Sequence, residues 1–169
     1  APADALIAAA RAQIGVTVSY DGTYRQIAYP MGDVPRITGV CTDVVVRAYR
    51  DALASDLQRL VHEDMRAHFA KYPNPWRMAG PDANIDHRRV PNLRTFLARA
   101  GAEIVSGVPQ PGDLVTMTVP PNLPHIAIVS DRMAEDGERP LIIHNIGRGT
   151  REEDRLAEFP LTGLFRWRG

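Results

Sequence analysis

The chain of 169 residues has a single cysteine, Cys41, and a single lysine, Lys71. One cysteine excludes an internal disulfide framework, and in an exported protein a lone thiol asks for a chemical explanation. Net charge is also lacking, since Lys plus Arg and Asp plus Glu number 20 each. No field of one sign would draw the chain to nucleic acid or to an acidic membrane surface, so a nucleic-acid partner is not expected. Long apolar runs are absent too. The longest near the start, Ala5 to Ala10, falls far short of the roughly 20 residues a spanning helix needs, so no membrane span is expected. Nothing in the pattern fixes an oligomeric state.

What is present bounds the rest. The length suits one domain with a sizeable core, here read as 1-169 with a decorated edge. Arginine carries nearly all the positive charge and offers bidentate recognition of carboxylates. The chain begins Ala1-Pro2-Ala3, as a mature protein does after removal of a signal peptide at a small-residue site, which leads to the expectation of a periplasmic or secreted location. A trimmed chain would begin the same way.

The first hundred residues read as mainly helical. Residues 4 to 14 place Leu6, Ile7, Ala10 and Ile14 on one stripe before Gly15. A turn-rich stretch, Val16 to Val40, follows, with Tyr20, Tyr24 and Tyr29 and room for a short strand at Val16 to Tyr20. After Cys41, the residues Val44, Val45, Ala48, Ala52 and Leu53 recur at helical spacing, with Arg47, Arg50 and Asp51 on the other side. Ser55 or Asp56 can cap a further helix carrying Leu57, Leu60, Val61, Met65 and Phe69. Pro91 opens another, with Leu93, Phe96 and Leu97, that Gly101 ends. From Gly112 the pattern changes to short β-branched or aromatic runs at Leu114 to Val119, His125 to Asp131, Leu141 to Ile146 and Leu164 to Arg168. Helices first and strands later give an α+β class, with N-terminal helices packed on a C-terminal antiparallel sheet.

The thiol stands where a loop turns into a helix. Unpaired backbone N–H groups and the positive end of the helix dipole lie there, and both favour a thiolate. The alternative is a small buried apolar residue. A cysteine nucleophile needs a base, something to orient the base, and donors for an oxyanion. His125 opens a strand after Pro-Pro-Asn-Leu-Pro, and His144 near the end of the next strand can reach it across an antiparallel pair. Ala127 and Val129 share the face of His125, and a small residue there would let the cysteine helix approach. Asn145 faces opposite to His144, so only one of them can orient His125, and spacing alone does not choose.

This order of a helix-borne cysteine and two strand-borne polar residues resembles the NlpC-type branch of the papain-like cysteine hydrolases, best known as bacterial cell-wall peptidases. The resemblance is carried by Val40-Cys41-Thr42-Asp43, Gln110-Pro111-Gly112-Asp113-Leu114-Val115, Pro124-His125-Ile126-Ala127-Ile128-Val129 and Leu141-Ile142-Ile143-His144-Asn145. It implies a papain-like fold with Cys41 as nucleophile, His125 as base and His144 as orienting residue. It further implies no cofactor and no metal, and a peptidoglycan peptide or other amide as substrate. Residues 55 to 100 look like an insertion that the typical domain lacks. Those peptidases usually carry an aspartate before the cysteine, whereas Val40 precedes it here and Asp43 follows. The whole chain also resembles a bacterial family known only as a domain of unknown function, through Cys-Thr-Asp, His62-Glu63-Asp64-Met65, Asn84 to Asn92 and His144-Asn145-Ile146-Gly147.

Other readings stand beside these. Asp86-His87-Arg88-Arg89 offers His87 and Arg88 to an anionic substrate group, or else Asp86 pairs with arginine and anchors the loop. His62, Glu63, Asp64 and His68 read as a solvated helix face, because 62 and 68 are not an i, i+4 metal pair. Gly147-Arg148-Gly149 reads as a turn that projects Arg148 near His144. Tyr20 is a candidate site wall, and Asp43 a partner for the first helical amides. Two rival functions keep the fold: a papain-like hydrolase or acyltransferase acting on an ester or lipid amide, and a catalytically silent module that binds the cell wall or a partner.

Overall fold

The computed structural model describes residues 1–169. Its four helices are α1 (Pro2–Arg11), α2 (Cys41–Leu53), α3 (Leu57–His68) and α4 (Val90–Arg99). The strands are β1 (Ser19–Tyr20), β2 (Thr38–Gly39), β3 (Leu114–Val119), β4 (Leu123–Met133), β5 (Pro140–Asn145), β6 (Thr150–Glu153) and β7 (Leu161–Phe165). The last five form an antiparallel sheet in the order β6-β5-β4-β3-β7, and β1 and β2 make a short parallel pair. The chain is therefore α+β. None of its helices is long and apolar enough to cross a membrane.

Alternation along β4 decides which groups meet which layer. Ile126 and Ile128 join Val44, Val45, Ala48, Leu93 and Leu97 in the core between sheet and helices. Ala127 and Val129 instead cluster with Val115, Met117, Ile142 and Leu156. The expectation that Ala127 admits the cysteine helix is therefore corrected: α2 packs on the isoleucine face, and the small residue lies on the far side of the sheet.

Helix α2 is buried all round from Cys41 to Arg50, including the side that carries Arg47 and Arg50. Arg47 forms a two-point pair with Asp33, at 2.9 Å for both contacts, and also donates to the Thr38 carbonyl. Arg50 pairs with Asp56 and the Gly32 carbonyl. These guanidinium groups tie the long loop before Cys41 onto α2 and satisfy charges that burial alone would disfavour. Gly39 makes the close approach possible, since a Cβ there would lie 2.9 Å from Arg47 Nη1 and 3.1 Å from Asp43 Oδ2. Asp56 caps α3 by accepting the Gln58 N–H.

Two expectations shift and one strand is new. Helix α1 stops at Arg11 and leaves Ile14 exposed, because the chain turns through residues 12 to 16 with Gly15 at φ +82°. The last strand ends at Phe165, after which Trp167 leaves the sheet to pack on Tyr49 and Phe96. Strand β6, Thr-Arg-Glu-Glu, has no apolar run to announce it, yet it pairs along β5 from Asn145 to Ile142.

Candidate active site

Cys41 is the first residue of α2, after Val40 in extended conformation. The side chain of Asp43 reaches back to accept the Val40 N–H at 2.7 Å, closing the helix start. The sulfur of Cys41 lies by the backbone N–H of Ile126, and the Tyr20 hydroxyl lies by the N–H of Cys41. A cavity of about 500 Å³ opens onto the thiol, lined among others by Tyr20, Trp76, Arg88, Arg89, Val90 and Leu123. The helix-start amides of Cys41 and Thr42 favour the thiolate as expected, but burial decides the balance. Burial pushes Cys41 up to about 11, outweighing the Ile126 N–H that favours the thiolate, while the Asp43 carboxylate also raises it.

His125 and His144 meet on the other face of the sheet. In the register that pairs Ile128 with Ile143 they are diagonal neighbours, and His125 Nε2 lies 2.7 Å from His144 Nδ1. His144 Nε2 lies 2.9 Å from Glu153 Oε1 on β6. This chain fixes both tautomers. A carboxylate accepts, so His144 donates through Nε2–H and accepts at Nδ1; His125 must then donate through Nε2–H, and its Nδ1 keeps the lone pair. Burial pushes His125 down to about 3, with His144 and Arg155 acting in the same direction, and burial lowers His144 against the pull of Glu153. No hydrogen bond joins Cys41 to the His125 ring. Thiol and imidazole are linked through the peptide between His125 and Ile126.

The remaining predicted residues divide sharply. Asp43 and Arg88 form a buried two-point pair at 3.1 and 2.8 Å, and Thr42 Oγ1 donates to the Arg88 carbonyl. Arg88 lines the cavity, but its charge is already matched. His87 is buried outside the cavity lining, with Nδ1 unpartnered, and burial pushes it down to about 4. It is not brought to the site. Asn145 points away from His125: its amide donates to the carbonyls of Ser19 and Gly39 and accepts the N–H groups of Gly147 and Gly149, so it ties the loop to the sheet. Of the two, it is His144 that meets His125. Arg148 is exposed in the β5–β6 turn and lines a second cavity of about 490 Å³ with Arg151, Glu153 and Arg155. Asp86 pairs with no arginine; its carboxylate accepts the Asp82 N–H. No group of three His, Cys, Asp or Glu side chains is placed to hold a metal ion, and His62 instead meets the Tyr29 ring edge-on at 5.0 Å.

Glu153 and Trp76 were missed from sequence. Arg89 lies in the Asp86-His87-Arg88-Arg89 run read as an anion site, within which the sequence reading settled on His87 and Arg88.

Fold and site together define an α+β protein in which a buried helix-start thiol abuts the first of three neighbouring strands that share a His–His–Glu chain. The chain belongs to the family described as domain of unknown function DUF1287, which matches residues 7–167. It is 51% identical over 162 residues to the uncharacterized protein YijF of Escherichia coli (strain K12), covering 94% of this chain and 78% of that protein. No solved structure matches the chain.

Proposed function

We propose that the chain is a thiol hydrolase that cleaves an amide bond in bacterial peptidoglycan peptides, on a papain-like fold of the NlpC type. The observation that carries this reading is the buried His125–His144–Glu153 chain, which leaves His125 Nδ1 unprotonated on the strand whose next residue, Ile126, meets the Cys41 sulfur with its backbone N–H. The order of a helix-start cysteine followed by histidines on two neighbouring antiparallel strands supports it.

In this mechanism Sγ attacks the amide carbonyl while its proton passes, through a water at the end of the sheet, to His125 Nδ1 on the other face. The oxyanion forms against the Cys41 N–H at the helix start, taking the place of the Tyr20 hydroxyl there. The C–N bond then breaks, the imidazolium proton goes to the leaving amine, and a thioester remains on Cys41. Water attacks that thioester with His125 as base, releasing the acid and restoring the thiol. Burial holds both partners neutral at rest, so proton transfer accompanies attack. A peptidoglycan substrate lies outside the cytoplasmic membrane, which is why the proposal includes a periplasmic or secreted location.

The test is release of new amino groups from purified peptidoglycan. Activity by the native protein, abolished in Cys41→Ala with an unchanged thermal transition, is the expected result; hydrolysis retained by that variant would sink the mechanism. A second reading, a catalytically silent module that binds the wall or a partner, draws on the burial of Cys41 at 4% exposure. An ester or lipid amide substrate keeps the same machinery and would be recognised by its products.

A further inference from the structure

The cavity over Cys41 holds two arginines in different electrostatic states. Arg88 is matched on both sides of its fork by Asp43. Arg89 makes no side-chain hydrogen bond, and its Nη1 is buried without a partner. Its nearby carboxylates are engaged elsewhere: Asp82 accepts from the Tyr24 hydroxyl and from Asn84, and Asp86 accepts from the Asp82 N–H. Burial also pushes Asp86 up to about 6, reducing its weight as a counterion. The Arg89 guanidinium lies over the Trp76 ring, 4.2 Å from the centroid, a contact that holds it at the cavity wall. Around it the lining is apolar, with Ile85, Val90, Pro91 and Leu123. A buried N–H without an acceptor is costly, and a cationic fork in an apolar wall fits a planar anion.

We infer that Arg89, stacked on Trp76, binds a carboxylate of the substrate whose amide is presented to Cys41. The substrate class is therefore an acyl or peptide chain that carries a free carboxylate near the reacting carbonyl. This rests on the proposed thiol hydrolase reading for its chemistry, but the binding site can be read separately. Arg89 sets specificity and takes no part in proton transfer.

The experiment uses two matched alkylating probes, bromoacetylglycine and bromoacetylglycinamide, on the full chain at pH 9. Each rate at Cys41 is divided by that for a free cysteine derivative. The native protein should prefer the carboxylate probe by about tenfold, the effect of one charge-assisted hydrogen bond. That preference should fall to about one in Arg89→Gln and return in part in Arg89→Lys. Taking the ratio within each variant cancels any change in folding or thiol reactivity. No preference in the native protein, or a preference that survives in Arg89→Gln, overturns the inference. A preference without any amide hydrolysis keeps the carboxylate site and removes the hydrolase; hydrolysis without a preference does the reverse. If neither probe reaches Cys41 in the folded protein while the unfolded chain is labelled, both fall.

Discussion

At the start of β4 the two faces of the sheet carry opposite kinds of polar group. On the helix face the Cys41 thiol has no side-chain partner and lies in a largely apolar cavity. On the other face His125, His144 and Glu153 are joined end to end, next to a cavity walled by Arg148, Arg151 and Arg155. Burial holds the thiol and the two imidazoles uncharged against different opposing groups. The thiol is neutral because the backbone N–H groups of Ile126, Thr42 and Cys41 repay too little of the lost water; the imidazoles are neutral because burial outweighs the one carboxylate that would protonate them. In the proposed mechanism the pair thus resembles a hydroxyl with its base more than a preformed thiolate–imidazolium pair.

The largest expected effect tests that contrast directly. His125→Ala should lower hydrolysis by about a thousandfold, within the range for loss of a general base. It should leave alkylation of Cys41 by iodoacetamide in the resting protein almost unchanged. The sign of the pH dependence follows from the same groups. A neutral imidazole is the working form, and it is lost only as pH falls toward about 3, while alkylation should rise toward about 11 as the thiol ionises. Hydrolysis should then be level between pH 5 and 8. Fast alkylation below pH 7 that disappears in His125→Ala would establish a charged pair at rest and break the comparison.

A smaller effect, on stability, tests how firmly the helix face is built. Asp43 and Arg88 are each 4% exposed, and Asp43 also accepts the Val40 N–H. Asp43→Ala leaves a buried guanidinium unmatched and should cost about 3–5 kcal/mol. Urea denaturation at pH 7 reads it, and a loss below about 1 kcal/mol would mean that water takes the place of the carboxylate and that the thiol's surroundings are wetter than the packing indicates.

How far the sequence went depended on whether a feature was local. The helix start at Cys41 was readable because a breaker-rich loop gives way there to apolar residues at helical spacing. The meeting of His125 with His144 was readable because turn residues around Asp136 and Gly137 make their strands neighbours. The buried state of Arg47, Arg50 and Arg88 was not, since their partners lie between 6 and 45 residues away. Nor was the orientation of β4. Alternation separates Ile126 from Ala127 but does not say which face receives α2, and both faces of this sheet are covered. Glu153 escaped notice because an edge strand of Thr-Arg-Glu-Glu carries none of the β-branched pattern that marks its neighbours.

Glu153 provides the finest test of the relay face. Its carboxylate makes Nε2–H the favoured tautomer of His144, which in turn leaves the lone pair of His125 at Nδ1. Glu153→Gln keeps the shape but turns a charge-assisted hydrogen bond into a neutral one, a loss of about 1 kcal/mol, or roughly five- to tenfold in kcat. The carboxylate is 27% exposed, so the fold should tolerate the change better than it tolerates Asp43→Ala. Nitrogen-15 shifts of the two rings separate a positioning role from a structural one: the Nε2–H bias of His144 should weaken in Glu153→Gln while the hairpin remains paired. Unchanged tautomers and unchanged kcat would mean that the two histidines hold each other without the carboxylate, and the relay would end at His144.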